Sequence, residues 1–333
     1  MARIVQDSPE QEMDDNMIFK PLRRGRGKAL AGFRKNPGSA RSEAIAEVFV
    51  VNAPSPCRPH LFLVAVAAVS LPGCVEATAF DTEPPVTGLT RDNLDRLNDR
   101  QPSSMPFKFV AIGDVHDAYD ELAEAVDAIN LRDDVDFVAV AGDVTNLGLL
   151  QEYEWTYEEF RRLDVPYFVV IGNHDALGDG KELYGKMYGP LEFAFTYSGV
   201  RFLFFNSNAL EFVGTAPNEP WLRAEHDALG GTPAIWVTHQ NVADPNDSPG
   251  TDTGTVYRAL VEANEVPLVV HGHLEEFELD TFFGADRLQC ATFEVFFSYN
   301  VVTVYPDRLE YLRCWNSDCE PVPAPVDSEG DNQ

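Results

Sequence analysis

The 333-residue chain has few cysteines and no apolar run long enough to cross a bilayer as a helix. None of its five cysteines lies in a CxxC pair, which argues against a structural zinc site of the finger or ribbon type. Cys314 and Cys319 lie close enough in sequence to form a disulfide if the turn between them permits it. Such a bond persists only in an oxidising compartment, and the spacing alone does not settle the pairing.

The chain is also short of positive charge, with 25 lysines and arginines against 54 aspartates and glutamates. The first 74 residues carry ten basic and seven acidic residues, so the remainder carries 15 basic and 47 acidic ones. A body this acidic repels nucleic-acid backbones and anionic membrane surfaces, and we expect no nucleic-acid-binding surface. A phosphorylated substrate is not excluded, because bound divalent cations would reverse the sign of the local charge.

Residues 1–74 are interpreted as a disordered basic leader that ends in an export signal. Leu61–Leu71 is an apolar run that follows Arg58 and leads into Leu-Pro-Gly-Cys74. A basic flank, a short apolar core and a small residue before a cleavage point are typical of signal peptides. The tetrapeptide resembles a bacterial lipobox, although Pro72 is unusual at its position. We therefore expect export to the periplasm or the outer surface, with a lipid anchor at Cys74.

The folded domain is predicted to span residues 106–315. Residues 75–105 are polar and contain proline, as a linker would. This composition disfavours the alternative that the apolar run before them is a buried part of the folded domain. Residues 316–333 are acidic and rich in proline, so we expect a disordered tail.

Strand and helix patterns alternate along this domain. Near-continuous apolar strands are predicted at 107–112, 136–141 and 166–171, and helices with apolar 3.6-residue spacing at 118–130 and 152–163. This β-α-β-α-β order predicts a buried parallel core. Further strands are predicted at 193–197, 200–205, 234–238 and 267–271, further helices at 220–229 and 254–263, and several short strands from 276 to 313.

Five short segments place metal-binding side chains directly after predicted strands. They read Gly-Asp114-Val-His116, Gly-Asp143, Gly-Asn173-His174-Asp175, Thr-His239 and His271-Gly-His273-Leu-Glu275. Ligands gather beyond the carboxyl ends of the strands in open α/β sheets, so these side chains should meet at one edge. Asp114 and His116 are two residues apart, so both can reach one ion if the strand continues that far.

Each of these residues alone has a common structural explanation. An aspartate after a strand is often a helix N-cap, Asn173 fits a turn, and His239 fits a hydrogen-bonded core histidine. His271 shares a strand face with His273 and is interpreted as structural. Five of the seven histidines lie in these segments, however, and their order along successive strands indicates a metal site.

The series D-x-H, GD, GNHD, H and GH resembles the calcineurin-like metallophosphoesterase superfamily over roughly residues 107–275, and GNHD is its most diagnostic part. The helix that begins at Trp221 also resembles the W-L-x-x-x-L helix of the cyclic-nucleotide phosphodiesterase and purple acid phosphatase branches. The resemblance implies an α/β fold in which two mixed β-sheets pack face to face with helices on both outer sides, a four-layer α/β/β/α sandwich.

The resemblance further implies two divalent or transition metal ions. Mixed His, Asn and carboxylate ligands suit Mn, Fe, Zn or Co. One ion would be held by Asp114, His116 and Asp143, and the other by Asp143, Asn173, His239 and His273. His174 would face the scissile bond as a cationic stabiliser or proton donor, with Asp175 fixing its orientation. A water shared by the ions would become the metal-bound hydroxide that hydrolyses a phosphate mono- or diester.

The chain departs from the family pattern where the motif G-H-x-H has Glu275 in place of its last histidine. A carboxylate oxygen is a legitimate metal ligand, so we expect Glu275 to complete the first ion's site. If Glu275 turns away, the first ion is weakly held. The arginine of the phosphatase-type motif GD-x-x-D-R-G is missing after Asp143, which argues against a protein phosphatase.

Two other classes of function stay open at the level of sequence. A metal- or phosphate-binding surface lipoprotein of the same fold, with impaired catalysis, is supported by Glu275 and opposed by the retention of His174. A structural or interaction role at the cell surface rests on the acidic body alone. The substrate, a phosphorylated small molecule or a phosphodiester, is not encoded in any readable motif.

Overall fold

Two six-stranded β-sheets pack face to face in the computed structural model of the chain, and helices lie on both outer sides. The structure describes residues 78, 81–100, 104–242, 253–263 and 266–325. The expected export signal and its Cys74 lie outside the described residues. The prediction of a four-layer α/β/β/α sandwich is confirmed.

The first sheet carries the strands that precede three of the five motif segments. Its strands are β1 (Phe107–Ile112), β2 (Phe137–Val140), β3 (Tyr167–Val169), β10 (Tyr299–Val304), β11 (Leu309–Trp315) and β12 (Asp318–Val322). Their order is β12-β11-β10-β1-β2-β3. β1, β2 and β3 run parallel to one another, so their carboxyl ends meet at one edge of the sheet.

The second sheet carries the other two motif segments. Its strands are β4 (Phe193–Tyr197), β5 (Val200–Phe204), β6 (Ala234–Val237), β7 (Leu268–His271), β8 (Glu278–Phe282) and β9 (Ala285–Gln289), in the order β4-β5-β6-β7-β9-β8. β5, β6, β7 and β9 are parallel, whereas β4 and β8 are antiparallel edge strands. His239 and His273 follow the carboxyl ends of β6 and β7.

The helices of the described chain pack on the outer faces through one apolar side. They are α1 (Leu89–Asp99), α2 (Tyr119–Asn130), α3 (Leu150–Phe160), α4 (Gly180–Met187), α5 (Glu219–Ala228), α6 (Thr253–Ala263) and the short α7 (Phe293–Phe296). In α2, Leu122, Val126 and Ile129 recur at helical spacing and are buried against the first sheet. No helix in the described part of the chain is long and apolar enough to span a membrane.

The layer between the sheets is largely aromatic. Phe109 and Phe137 of the first sheet are fully buried and meet Phe202 of the second, with ring centroids 5.4 and 5.1 Å from the Phe202 ring. Aromatic rings remove large apolar areas from water and pack edge to face, so this layer fixes the two sheets against each other. That rigidity is what allows loops from both sheets to hold one site.

The structure corrects the predicted linker, because residues 89–99 form α1. Leu89 and Leu97 on one face of this helix are buried, and the Asn93 side chain accepts a hydrogen bond of 3.1 Å from the backbone N–H of Tyr167. The polar composition was misleading because only one side of the helix contacts the domain. The domain therefore begins before the predicted boundary at residue 106.

The predicted boundary at residue 315 is also wrong, because β12 pairs with β11 as far as Val322. Cys314 and Cys319 lie directly opposite each other in this ladder and form a disulfide. Pro321 is tolerated because β12 is an edge strand, where a missing N–H can face outward. The composition of the tail thus concealed a strand whose pairing is fixed by a covalent bond.

Candidate metal centre

Polar side chains from both sheets converge at the carboxyl ends of the parallel strands. They come from the segments after β1 (Asp114, His116), β2 (Asp143), β3 (Asn173, His174), β6 (His239) and β7 (His273). Among the described residues, two groups bring candidate ligand atoms within 4.8 Å of one another. The buried group consists of Asp143, His239 and His273, and the rim group consists of His116, Asp143 and His174.

Asp143 belongs to both groups, and its two carboxylate oxygens have different partners. Oδ1 accepts a hydrogen bond of 2.9 Å from the backbone N–H of His174. Oδ2 lies 3.2 Å from Nε2 of His239 and 3.8 Å from Nε2 of His116. One oxygen therefore fixes the carboxylate to the neighbouring loop, and the other faces donors of both groups.

Asn173 lies against the buried group through its side-chain oxygen. Oδ1 is 2.8 Å from Nε2 of His239 and 3.0 Å from Nδ1 of His273. With the nearby oxygen of Asp143, these atoms make a compact set of nitrogen and oxygen donors. Transition metals of intermediate softness favour such mixed imidazole and oxygen ligands.

His239 is fully buried, and the backbone of the first sheet orients its ring. Nδ1 lies 2.8 Å from the carbonyl oxygen of Ala141, to which it donates, so Nε2 is directed at the buried group. Burial alone would lower the pKa of His239, but Asp143 and Asp114 outweigh it and raise the pKa to about 10. Without a metal the ring therefore carries a proton, which a metal ion must displace.

Asp114 is buried beside the loop after β7. Its Oδ1 accepts a hydrogen bond of 3.0 Å from the backbone N–H of His273 and lies 3.7 Å from Nδ1 of His239. Burial raises the pKa of this carboxyl to about 8, and the charge of Asp143 adds to the rise while His239 opposes it. A bound cation would favour the ionised form of both carboxylates.

The His174 ring is held by a backbone carbonyl rather than by the next residue. Its Nδ1 lies 2.7 Å from the carbonyl oxygen of Asn146. Asp175, expected to orient this ring, accepts hydrogen bonds of 2.9 and 2.8 Å from the backbone N–H and hydroxyl of Thr145, and one of 2.9 Å from the N–H of Gly172. Asp175 therefore ties together the loops after β2 and β3, and it acts on His174 only through them.

Three of the converging residues have left-handed backbone conformations. The φ angles are 50° at His116, 49° at Asp143 and 73° at His273. Non-glycine residues adopt this region at a cost of about 1 kcal/mol or more each, so the surrounding fold imposes it. Strain of this kind is common where a loop must direct a side chain into a site.

Gly172, which directly precedes Asn173, lies very close to Asp143. A Cβ atom on Gly172 would lie 1.9 Å from Oδ1 of Asp143 and 2.2 Å from its backbone nitrogen. Gly272 is similar, because a Cβ atom there would lie 2.3 Å from Oδ1 of Asp114. Only glycine lets these loops come close enough for the carboxylates to take their places.

The model of the family described as calcineurin-like phosphoesterase matches residues 107–275, about half of the chain and the whole of the segment that carries the converging residues. This chain belongs to the calcineurin-like phosphoesterase family. The predicted family membership is confirmed, and members of the family are phosphoric ester hydrolases that depend on metal ions.

This chain is similar to several known proteins over part of its length. A segment of 46 residues is 44% identical to the probable glycerophosphodiester phosphodiesterase GpdQ of Arcobacter nitrofigilis, covering 14% of this chain and 17% of that protein. The matched segment thus spans less than a fifth of that relative. Purple acid phosphatase PPD1 from yellow lupin (Lupinus luteus) seeds has a TM-score of 0.52 at 14% identity, covering 67% of this chain and 54% of the phosphatase. This likeness supports the shared fold.

GAP50, the anchor in the inner membrane complex of Plasmodium, has a TM-score of 0.49 at 15% identity, and the match covers 66% of this chain and 89% of GAP50.

Glu275, the residue in place of the family's last motif histidine, is exposed and belongs to neither group. Its backbone carbonyl accepts a hydrogen bond from the N–H of Thr292, which anchors the turn while the side chain faces solvent. The structure therefore brings together His116, Asp143, Asn173, His174, His239 and His273. Asp114 also lies outside both groups, but it is buried beside His239 and His273, whereas Glu275 is not brought to them. His271 is buried with Nδ1 2.9 Å from the carbonyl oxygen of Gly272.

The converging residues have donor atoms that could hold metal ions. Asp143 offers one oxygen to both groups, and the buried group already contains two imidazoles, a carboxylate and the neighbouring amide oxygen of Asn173. The carbonyls of Ala141 and Asn146 orient two of the rings. Sequence reasoning missed both carbonyls, because a main-chain acceptor leaves no trace in residue type.

Proposed function

We propose that the protein is a phosphoric ester hydrolase that uses two transition metal ions to hydrolyse phosphate mono- or diesters with water as the nucleophile. The observation that carries the proposal is the position of the Asp143 carboxylate, whose Oδ2 faces a histidine of each group. A carboxylate placed in this way would serve as a bridge between two ions. Family membership supports the reaction class.

The proposed ligands divide between the two groups. Asp143, Asn173, His239 and His273 would hold the ion of the buried group, and Asp114, His116 and Asp143 would hold the ion of the rim group. When bound, two such ions neutralise the phosphate charge and acidify a water so that it can attack at neutral pH.

The acidic body does not prevent binding of an anionic substrate at this edge. The chain carries a formal charge of −29, and that charge would slow the approach of a phosphate monoester more than that of a singly charged diester. Diesters are therefore the first substrates to test, and the partial match to a probable glycerophosphodiester phosphodiesterase supports the same choice.

The proposed location is outside the reducing cytoplasm. The disulfide between Cys314 and Cys319 supports this proposal, because disulfides persist mainly in oxidising compartments. Export to the periplasm or outer surface, with a lipid anchor at Cys74, is the form that the sequence predicts. Labelling cells with a radioactive fatty acid, with Cys74→Ala as the control, would test the anchor separately from export.

A second candidate function is binding of metal or phosphate by a surface lipoprotein with impaired catalysis. The exposure of Glu275 favours it, because the rim ion lacks the ligand that the family motif would supply. Metal content does not separate the two functions, since both require ions. Turnover does, since only the hydrolase releases product.

The experiment for the proposed function uses the purified protein after removal of metal by a chelator. We expect hydrolysis of bis(4-nitrophenyl) phosphate or 4-nitrophenyl phosphate to return on addition of Mn²⁺, Zn²⁺, Fe²⁺ or Co²⁺. Asn173→Ala should remove that activity and lower the metal content, whereas exposed Leu131→Ala should change neither. Folded protein that binds metal but turns over no phosphate ester with any of these ions would support the binding protein instead.

A further inference from the structure

We propose that Ser207 and Asn208, in the loop after β5, are positioning residues of the buried group. They set the distance between His239 and Asn173, and through it the affinity of this group for its ion. The inference rests on the proposed function, because it requires that the buried group hold an ion. Neither residue belongs to the motif segments, and neither is a candidate ligand.

The side chain of Ser207 holds the backbone of the His239 segment. Its Oγ accepts hydrogen bonds of 3.2 and 2.8 Å from the backbone N–H groups of His239 and Gln240. Ser207 is buried, so these bonds form away from water, where an unpaired N–H is costly. Because two consecutive N–H groups converge on one oxygen, the hydroxyl fixes the path of the chain where it leaves β6.

The side chain of Asn208 reaches the first sheet. Its Nδ2 donates to the backbone carbonyl oxygen of Ile171 at 2.8 Å, and Ile171 lies two residues before Asn173. Asn208 is fully buried, and its Nδ2 and backbone N–H both donate to Oδ1 of Asn206 at 2.9 Å, which fixes the turn. The loop after β5 is therefore bonded to the Asn173 segment as well as to the His239 segment.

These bonds hold both ends of one contact in the buried group. Nε2 of His239 lies 2.8 Å from Oδ1 of Asn173, and this contact joins the second sheet to the first. Ser207 restrains the backbone on one side of the contact, and Asn208 restrains it on the other. A metal site requires donor distances within about 0.2 Å of the ideal values, so restraint of this kind bears directly on affinity.

The other contacts of His239 tie it to different loops. Nδ1 of its ring donates to the carbonyl oxygen of Ala141 at 2.8 Å, which links it to the loop after β2. Its backbone carbonyl accepts a hydrogen bond of 3.0 Å from the N–H of Gly272, which links it to the loop after β7. Ser207 and Asn208 add the link to the loop after β3, so their loss should loosen that spacing in particular.

The experiment measures metal binding rather than activity. Wild type, Ser207→Ala and Asn208→Ala are stripped with a chelator and titrated with Co²⁺, and dissociation constants are read from calorimetry and visible absorption. Residues that orient a ligand without touching the ion typically contribute 10- to 100-fold to metal affinity. We expect each variant to bind the tighter equivalent about 10- to 100-fold more weakly, and the other within about threefold of wild type. Wild-type affinity in Ser207→Ala would overturn the inference.

A matched control separates positioning from a general loss of stability. Ser298 is also fully buried, and its Oγ accepts a hydrogen bond of 3.1 Å from Nε of Arg313. Ser298→Ala removes a buried hydroxyl that holds neither group, so it should lower the melting temperature but leave both dissociation constants unchanged. A loss of metal affinity in Ser298→Ala as large as in Ser207→Ala would reject the positioning role.

A conservative variant and a spectroscopic signal guard against loss of the fold. Ser207→Thr keeps the hydroxyl oxygen, so it should bind the tighter equivalent within about threefold of wild type. The visible absorption of Co²⁺ reports the geometry of its ligands, so the spectrum of that equivalent should change in Ser207→Ala and be restored in Ser207→Thr. Folded Ser207→Thr that binds as weakly as Ser207→Ala would count against the hydroxyl. Wild type that binds no metal would instead refute the proposed function itself.

Discussion

The buried group and the rim group share Asp143 but differ in how far folding alone assembles them. In the buried group, Nε2 of His239 lies 3.2 Å from Oδ2 of Asp143 and 2.8 Å from Oδ1 of Asn173. In the rim group, Nε2 of His116 lies 3.8 Å from the same Oδ2. The difference teaches that folding alone brings the donor atoms around His239 closer together than those around His116.

The two groups differ in the sheets that supply their residues. The buried group joins His239 and His273 of the second sheet to Asp143 of the first, so both sheets enclose it. The rim group draws all its members from loops of the first sheet. His116 and His174 are only partly buried, as is His273 of the buried group, whereas His239 is fully buried. Preorganised donors bind an ion with less reorganisation, so we expect the buried group to bind more tightly.

The largest effect is expected from removing the residue that the groups share. Asp143→Asn keeps the size of the side chain but removes the charge that faces both groups. We expect both metal equivalents to be lost at micromolar metal and activity to fall by roughly 10³-fold or more. Elemental analysis and diester hydrolysis check this, and loss of a single equivalent would show that Asp143 does not bridge.

The next effect separates the groups. His239→Ala should remove the tight equivalent, and it should destabilise the metal-free protein by about 3 kcal/mol, because the buried carboxylate of Asp143 loses its cationic neighbour. His116→Ala should weaken only the other equivalent and cost about 1 kcal/mol, since this ring is partly exposed. Metal titration and urea unfolding measure both quantities. Equal losses for the two variants would remove the distinction between the groups.

A smaller effect concerns pH, and its sign follows from raised pKa values. The pKa of His239 is about 10 and that of Asp114 about 8 in the metal-free fold, both above their ordinary values. The folded chain therefore holds more protons than the unfolded chain between pH 7 and 10, through Asp114 up to about pH 8 and through His239 up to about pH 10. Its stability falls as pH rises, by at most about 1.4 kcal/mol per pH unit for each group. Metal binding releases these protons, so affinity rises over the same range.

Thermal melting from pH 7 to pH 10 measures this dependence in the metal-free and metal-loaded protein. The metal-free melting temperature should fall across that range, and the loaded protein should fall less. Asp114→Asn removes one of the two titrations, so its metal-free melting curve should depend less on pH than that of the wild type. A metal-free protein that becomes more stable as the pH rises would contradict the assigned proton positions.

The smallest effect is expected at Glu275. Because its side chain is exposed and outside both groups, Glu275→Ala should change metal affinity and diester hydrolysis by less than about threefold. Glu275→His, which restores the family motif, tests whether the rim can be tightened. Metal titration of both variants decides the matter, and a lost equivalent in Glu275→Ala would make Glu275 a ligand after all.

Much of this architecture was predictable from sequence because apolar strands and their polar ends carry strong signals. The strands from Phe107 to His271 were predicted within about two residues, and seven of the side chains expected at the site converge. The misses have physical causes. Helix α1 has one buried face within a polar segment, and β12 depends on pairing with a distant strand.

At the site, the sequence could not show which side chain a loop turns inward. Glu275 occupies a ligand position in the motif, yet its backbone directs it to solvent. Asp175 was expected to fix the orientation of His174, and its carboxylate accepts hydrogen bonds from Thr145 and Gly172, in the loops on either side of that ring. The sequence could not name these partners, because motif order specifies neighbours along the chain, whereas contacts depend on backbone turns that residue type does not reveal.

Gly172 has a consequence for how such chains change over evolutionary time. A methyl group at this position would overlap the oxygen of residue 143, so a single base change in one codon would abolish the site while every ligand codon stayed intact. Genome surveys that recognise active members by their ligands alone would count such chains as enzymes. Inspection of position 172 would reveal them as inactive descendants.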